Sequence, residues 1–364
     1  MTAEQLISFA RGAPSLDIVD VAGLKAAAAR AFDADPAGIT AYGTSVGYPP
    51  LRRWIAEKHG VSVDQVLVTN GSLQADAFLF DQLVSAGDAV VVERPTYDRT
   101  LLSLQQLGGQ VHQVSLQPDG IDTDELRKLL ESGVRPTLAH IIPNYQNPAG
   151  ATLSLAKRRA LLELAGEYGF TIFEDDPYVD IRFRGEALPS MLSLDTAGAV
   201  VHASSFTKTV CPGVRVGYLV GPAGLIADIA KRATNLYISP GMVAQAIVHQ
   251  FCVSGDIDRS VRTVSTALAE RARVLAESLR THIPGIRFAE PDGGYVLWVE
   301  LPEDVDVARL APAATERGVA VVKGTDFLLE GGRNALRLAF SAVTVDEIDE
   351  GVRRLAAAVA DVRG

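Results

Sequence analysis

Short apolar runs alternate with amphipathic stretches through the first two thirds of the chain. The apolar runs are rich in Val, Ile and Leu and lie at residues 66–69, 88–93, 111–116, 137–143, 170–175, 199–205 and 214–221. Several are followed by segments whose apolar positions recur with helical spacing, at 73–84, 100–107, 124–133 and 155–169. Asp122 or Thr123 is the predicted cap of the third of these helices. Strands that alternate with helices of about a dozen residues predict an α/β fold with a mainly parallel sheet.

The pattern changes from about residue 241 onward. A long helical stretch is predicted over about 241–282. Apolar runs at 295–301, 319–322 and 335–340 follow it, together with helical segments at 308–318 and near 345–361. This mixed order predicts a smaller α+β domain that is reached through a long helix.

Composition and charge exclude several classes of protein. Of the 364 residues, 48% are hydrophobic and 21% are charged, which is ordinary for a folded chain. The formal net charge of -10 argues against a nucleic-acid or anionic-membrane partner, because either would require a basic face. Cys211 and Cys252 are the only cysteines, so we expect no disulfide framework and a reducing, cytoplasmic compartment. We expect no signal peptide, no membrane span and no metal site.

Lys208 follows an apolar strand directly, within the segment HASSFTKTVCPGVRVGY. Most lysines lie on the surface, and an isolated lysine would be interpreted that way. Here Ser and Thr hydroxyls stand before the amine and Arg215 follows it. An amine at a strand end, with hydroxyl and guanidinium groups nearby, is suited to imine formation beside a phosphate. Open α/β sheets also bind their ligands at the carboxyl ends of strands.

Other strand ends carry polar motifs whose meaning is open on their residues alone. TNGSLQAD (69–76) joins a strand to a helix, and a helix start with free N–H groups favours a phosphate, although many such turns contain Gly-Ser. Clusters of Asn and Pro such as PNYQNPAG (143–150) most often form plain turns, and Tyr97 could simply pack in a loop. FEDDPYVD (173–180) could be a solvated loop or a metal site, and the loop is favoured.

Taken together and in this order, the motifs resemble those of fold-type I enzymes that use pyridoxal 5'-phosphate (PLP), over nearly the whole chain. The resemblance is to the class I/II aminotransferases, in the branch with 2-aminoadipate and aromatic amino-acid aminotransferases that also supplies the C-terminal domain of MocR-type regulators. It implies a large domain around a mainly parallel seven-stranded sheet and a smaller α+β domain. We place an N-terminal segment over the substrate site at 1–35, the large PLP-binding domain at 36–250 and the small domain at 251–364.

The resemblance also implies roles for individual residues. Lys208 would hold PLP as a Schiff base and move protons once a substrate has replaced it. The family pattern Asp-x-x-Tyr selects Asp175 rather than Asp176, and its carboxylate would keep the pyridine nitrogen protonated. Tyr178 and Asn147 would donate hydrogen bonds to the phenolic oxygen of PLP. The other implied cofactor contacts are Tyr97, stacked on the ring, and Ser72, Leu73, Ser205, Arg215 and, from the neighbouring subunit, Tyr42 at the phosphate.

The substrate would be bound by residues from three segments. Arg337, in RLAFS, would hold the α-carboxylate through two parallel N–H donors, and Asn147 would contribute a further contact. Gly12, in ISFARGAPS, would allow a close approach of the backbone. Arg11 departs from the small residue expected there, and it could be a surface residue or recognise an acidic side chain.

The function that this resemblance implies is a PLP-dependent aminotransferase acting on an L-amino acid and a 2-oxo acid, with glutamate and 2-oxoglutarate as one pair. A homodimer with shared sites is expected. A PLP lyase, oxidase or cyclase would retain the same residues, so that alternative stays open. A ligand-sensing regulator is disfavoured, because the PLP-domain pattern begins within the first dozen residues and leaves no room for a DNA-binding domain before it.

Overall fold

Helices and strands alternate along residues 6–363, the part of the chain that the structure, a computed structural model, describes. The helices are α1 (Val21–Ala34), α2 (Pro36–Thr40), α3 (Pro49–His59), α4 (Ser72–Leu83), α5 (Asp98–Gln106), α6 (Thr123–Glu131), α7 (Leu155–Tyr168), α8 (Met191–Leu194), α9 (Ala223–Tyr237), α10 (Met242–Val253), α11 (Asp256–His282), α12 (Val307–Glu316) and α13 (Val345–Arg363). The strands are β1 (Ile7–Ser8), β2 (Val66–Thr69), β3 (Ala89–Arg94), β4 (Gln110–Gln117), β5 (Gly120–Ile121), β6 (Pro136–Ile141), β7 (Thr171–Asp175), β8 (Val200–Ser205), β9 (Gly217–Val220), β10 (Val296–Glu300), β11 (Val319–Ala320), β12 (Val322–Lys323) and β13 (Ala335–Ala339).

The large sheet has the strand order β2-β9-β8-β7-β6-β3-β4-β5. Strand β9 runs antiparallel to both of its neighbours, whereas β8, β7, β6, β3 and β4 are mutually parallel. The mainly parallel sheet is therefore confirmed, with the seven longer strands that were predicted. The two-residue strand β5 adds an eighth, antiparallel strand at one edge.

Helices cover both faces of this sheet, which explains its continuous apolar runs. Within β3, Val90 and Val92 pack in the cluster that contains the buried residues of α4 and α9. Val91 points to the opposite face and packs with α6 and α7. The alternation follows from the two-residue period of a strand. Asp122 caps α6, because its carboxylate accepts hydrogen bonds from two backbone N–H groups of the first helical turn, each at 3.0 Å.

A second, antiparallel sheet of order β10-β13-β12 packs with α11, α12 and α13 around a separate apolar core. The N-terminal residues contribute to both cores: β1 pairs with β11 beside the small sheet, whereas α1 packs with α3 and α10 beside the large one. The domain boundaries at 35/36 and 250/251 stay a prediction. Among residues 6–363 no helix is long and apolar enough to cross a bilayer.

Two predicted elements of the C-terminal part were wrong in detail. The helix expected over about 241–282 is divided into α10 and α11, because Gly255 adopts a left-handed conformation with φ of 76° that ends the first helix. The run 319–322 is also divided, into β11 and β12, which belong to different sheets. Residue Val321 between them redirects the chain from one sheet to the other.

Candidate active site

A cavity of about 360 Å³ opens at the carboxyl ends of β3, β6, β7 and β8, and the small sheet forms its opposite wall. Parallel strands direct their carboxyl ends to one edge of a sheet, so side chains from distant parts of the sequence meet there. The cavity is lined by all the predicted site residues except Tyr42: Gly12, Ser72, Leu73, Tyr97, Asn147, Asp175, Tyr178, Ser205, Lys208, Arg215 and Arg337.

One end of the cavity is built to bind an anion. Ser72 and Leu73 are the first residues of α4, and no side chain caps this helix end. A Cβ atom on Gly71 would lie 2.3 Å from Nη2 of Arg215, and a Cβ atom on Gly217 would lie 2.6 Å from the carbonyl carbon of Gly71. The two glycines therefore allow the guanidinium group and the helix start to come together. Backbone N–H groups and a permanent positive charge in one place favour a phosphate.

Arg215 is held at this end by the backbone. It has a φ of 49°, which is uncommon for a residue with a side chain, and its Nη2 donates a hydrogen bond to the carbonyl oxygen of Asn70 at 3.1 Å. Nearby, the N–H of Thr207 donates to Oγ of Ser205 at 3.1 Å, and the two hydroxyl groups lie 2.8 Å apart. Thr207 also lines the cavity but was not among the predicted contacts.

Lys208 lies in the middle of the cavity. Its Nζ donates a hydrogen bond to the carbonyl oxygen of Gly12 at 2.6 Å and lies 5.3 and 5.0 Å from the ring centres of Tyr178 and Tyr295. The hydroxyl of Tyr295 donates to the carbonyl oxygen of Lys208 at 2.6 Å and fixes the backbone below the amine. Burial, assisted by the positive charge of Arg337, lowers the pKa of Lys208 to about 8. About a tenth of the amine is therefore neutral and nucleophilic at pH 7, far more than for an exposed lysine.

Asp175 ends β7 and is only 5% exposed. Its Oδ2 lies 3.5 Å from Nε2 of His140, while its Oδ1 has no hydrogen-bond partner within residues 6–363. A buried carboxylate oxygen without a donor is costly unless a ligand supplies one. The atom is thus matched to a protonated ring nitrogen. The sequence pattern did not indicate that His140 would lie beside this carboxylate.

Arg337 closes the cavity from the side of the small sheet. Its Nη1 donates to Oδ1 of Asn147 at 3.3 Å, and its Nη2 donates to the carbonyl oxygen of Ala10 at 2.8 Å. The guanidinium group also lies 5.0 Å from the ring centre of Phe327. Both hydrogen-bond acceptors are neutral oxygens, so none of these contacts pairs the positive charge of the buried Arg337 with a carboxylate. The group remains able to bind a substrate carboxylate.

Tyr42 lies apart from these residues. It is 87% exposed and borders a separate groove with Pro49, Arg53 and Met242. Arg11 is exposed and does not line the cavity, although its backbone neighbours Ala10 and Gly12 do. Within the described residues no group of His, Cys, Asp and Glu side chains could hold a metal ion.

Comparison with known proteins identifies the protein family of this chain. Residues 4–355 match the family described as Aminotransferase class I and II. The chain belongs to this family. It is a PLP-dependent aminotransferase, an enzyme that transfers amino groups between amino acids and keto acids.

This aminotransferase is similar over nearly its whole length to several named aminotransferases. It is 30% identical to the aromatic-amino-acid aminotransferase 1 of Thermococcus litoralis, over 96% of this chain and 87% of the relative. It is 31% identical to the 2-aminoadipate transaminase of Thermus thermophilus, over 97% and 90%. The crystal structure of the α-aminoadipate aminotransferase LysN from Thermus thermophilus, complexed with N-(5'-phosphopyridoxyl)-L-leucine, matches with a TM-score of 0.93 and 30% identity, over 99% and 93%.

The cavity of this aminotransferase fits PLP at three separate points. The uncapped start of α4 and Arg215 form an anion site of the kind that a phosphate requires. The unpartnered Oδ1 of Asp175 suits a cationic ring nitrogen, and the amine of Lys208 is available for a covalent bond to an aldehyde. A phosphate, a ring nitrogen and an aldehyde are the three groups that PLP would present to these residues.

Proposed function

We propose that this aminotransferase transfers the amino group of an L-amino acid to a 2-oxo acid, with glutamate and 2-oxoglutarate as one of its pairs. The observation that supports the proposal best is the position of the amine of Lys208 in one cavity with Asp175 and Arg337. Such an arrangement suits a reaction in which a substrate is held by its carboxylate while a proton moves at its α-carbon.

Each predicted residue has a role in this proposal. The bound cofactor supplies an electron sink for the charge that develops at the α-carbon of the substrate. Lys208 would hold the cofactor covalently, and its amine, once free, would take the proton from the α-carbon. Asp175 holds a proton on the ring nitrogen, assisted by His140, and Tyr178 with Asn147 donates to the phenolic oxygen. The remaining contacts are Tyr97 at the ring face, Ser72, Leu73, Ser205 and Arg215 at the phosphate, and Gly12 at the substrate.

Amino acid specificity can be tested with half-reactions. Purified enzyme with bound PLP is mixed with each amino acid in the absence of a 2-oxo acid, and the absorbance of the bound cofactor is followed. We expect glutamate to change the spectrum, together with at least one aromatic amino acid or 2-aminoadipate, the substrates named for the relatives. A spectrum that no amino acid changes would contradict transamination. Release of 2-oxo acid beyond one equivalent per active site, without an amino acceptor, would favour a lyase or oxidase.

Replacement of Arg337 by lysine should raise the KM for amino acid substrates about 10- to 100-fold with a smaller effect on kcat. Lysine keeps the positive charge but loses the two parallel donors that match a carboxylate, and this binding is used equally in the ground and transition states. Arg333→Lys is the matched control, because Arg333 is 79% exposed and pairs with Asp306 outside the cavity. Equal KM values for the Arg337→Lys variant and the wild type would exclude a carboxylate contact.

We further propose a homodimer in which Tyr42 reaches the phosphate of the neighbouring subunit. Tyr42 belongs to an exposed surface that also includes Leu236, which is 69% exposed, and Ile238, which is 55% exposed. The N–H of Gly43 donates to Oγ of Ser239 at 3.3 Å, which joins the two parts of this surface. Exposed apolar patches of this kind mark interfaces between proteins. Sedimentation velocity of the full chain checks the dimer.

The acidic net charge supports small-molecule substrates without a nucleic-acid or membrane partner. The cysteines Cys211 and Cys252 are not joined in a disulfide, which supports a cytoplasmic, reducing environment.

A further inference from the structure

A second carboxyl group, Asp76, lies in the cavity beside the one that is assigned to the ring nitrogen. It is 3% exposed, lines the cavity, and its Oδ1 has no hydrogen-bond partner within residues 6–363. No role in the proposed mechanism uses it. A buried carboxylate that accepts no hydrogen bond would be costly in its ionised form. The effect of Asp76 on the site therefore depends on whether its carboxyl group is protonated.

The position of Asp76 follows from the geometry of α4. Residues Ser72, Asp76 and Phe80 are spaced by four and therefore lie on one face of the helix, with about 5.4 Å between successive turns. Ser72 is at the anion site, and Phe80 packs edge-on against His140 and Phe173, with ring centres 6.0 and 5.7 Å apart. This face of α4 is therefore turned toward β6 and β7, so Asp76 faces the end of β7, where Asp175 lies.

The electrostatics of the two carboxyl groups are linked. Burial, and next the negative charge of Asp175, raise the pKa of Asp76 well above its usual range. Burial raises the pKa of Tyr97 to about 12, and the charges of Asp98, Asp76 and Asp175 contribute. Further ionisable groups also surround this site. They are Glu93 from β3, Asp98 and Arg99 from α5, His140 from β6, Tyr178 after β7, Lys208 after β8, Arg215 before β9 and Arg337 from β13.

We propose that Asp76 keeps its proton in the folded protein and shares it with Asp175, so that the two carboxyl groups together carry one negative charge. Neither Oδ1 atom has another hydrogen-bond partner within residues 6–363, so the proton can lie between them. A carboxylate oxygen has two lone pairs, so Oδ1 of Asp175 can accept from Asp76 and still accept from the ring nitrogen. Two carboxyl groups close together in a dry site commonly hold one proton between them. Asp76 is then a positioning residue, because its hydrogen bond to Asp175 orients that carboxyl group toward the ring nitrogen. This inference rests on the role proposed for Asp175.

The shared proton can be tested on the full chain without added cofactor. Above about pH 5 the unfolded chain has released both protons, whereas the folded pair still holds one. Folding therefore takes up a proton, and stability falls as the pH rises until the folded pair releases it. We expect the unfolding constant of the wild type, divided by that of the Asp76→Asn variant, to rise about tenfold per pH unit from about pH 5 up to the pH at which the folded pair releases its proton.

The ratio removes contributions that both proteins share, including those of Glu93 and Asp176, whose pKa values burial raises to about 8 and about 7. Asp81→Asn is the matched control, since Asp81 belongs to the same helix, is 49% exposed and lies beside Arg232. The unfolding constant of the wild type, divided by that of the Asp81→Asn variant, should not change with pH. A constant ratio for Asp76→Asn as well would overturn the shared proton. If this variant fails to fold, Asp76→Leu serves the same comparison, because it also lacks the titratable group.

Cofactor affinity tests the hydrogen bond itself. Asparagine can still donate to Asp175, whereas leucine cannot. Titration with PLP should therefore give a dissociation constant within about twofold of wild type for Asp76→Asn and about tenfold weaker binding for Asp76→Leu. Equal affinity of Asp76→Leu and the wild type would overturn the positioning role. If none of the proteins, including the wild type, binds PLP, the proposed function fails, while the pH experiment still decides whether the proton is shared.

Discussion

Replacement of Lys208 by alanine should lower the rate of transamination by at least about a thousandfold. The change removes both the covalent link to the cofactor and the amine that moves the proton at the substrate α-carbon, and general acid–base catalysis alone contributes about 10²- to 10⁴-fold. The cavity offers no second lysine among its lining residues within the described part of the chain. The measurement is kcat/KM for glutamate with a 2-oxo acid, by coupled assay.

Borohydride reduction followed by peptide mapping separates the loss of the link from a loss of folding. The wild type should give a reduced adduct on the peptide that contains Lys208, and the alanine variant should give none. Because the pKa of Lys208 is lowered to about 8, the rate of attachment in the wild type should rise with pH and level off above about pH 8, where the amine is neutral.

Lys128→Ala is the matched control for this experiment. Lys128 is exposed on α6, and its loss should leave both the adduct and the rate unchanged. An alanine variant at 208 that retains more than about a tenth of the wild-type rate, or an adduct that maps to another lysine, would contradict the assignment.

The sequence indicated where several of the cavity residues would meet, because these residues share one structural property, although the roles of Asp175 and Asn147 rested on the family resemblance. Lys208, Asp175 and Asn147 each come soon after an apolar run that forms a strand of the large sheet. When such strands are parallel, their carboxyl ends are adjacent, so local patterns far apart in the sequence indicate one common place. Arg337 required the resemblance as well, because its strand belongs to the other sheet and its contact with Asn147 depends on how the two sheets pack.

Residues that the sequence did not indicate act through tertiary contacts. His140 is paired with Phe173 in the register of β6 and β7, and the two-residue period places it on the face that also carries Asp175. That inference needs the register, which the pattern does not provide. Predicting that Asp76 faces the sheet requires the exact start of α4, since a shift by one residue would turn the side chain away from the sheet. Tyr295 contacts Lys208 across more than eighty residues of intervening chain, and no local signal marks it.

Replacement of Asp175 by asparagine should lower kcat by about 10²- to 10³-fold. Asparagine has nearly the same shape but no negative charge, so it cannot stabilise a protonated ring nitrogen, and loss of one electrostatic contact to a developing charge costs about this much in enzymes. The KM for amino acids should change less, because Arg337 and Asn147 still bind the carboxylate. The measurement is steady-state kinetics with saturating PLP.

Asp180→Asn is the matched control, since Asp180 belongs to the same segment, is partly exposed and pairs with Lys58 at the surface. It should retain wild-type kcat. The informative comparison is with the alanine variant at position 208: Asp175→Asn keeps the amine of Lys208 and should still give the reduced adduct, while turnover is largely lost. Attachment without turnover assigns charge stabilisation to one residue and the covalent link to the other. A wild-type kcat for Asp175→Asn would mean that the ring nitrogen needs no anionic partner in this enzyme.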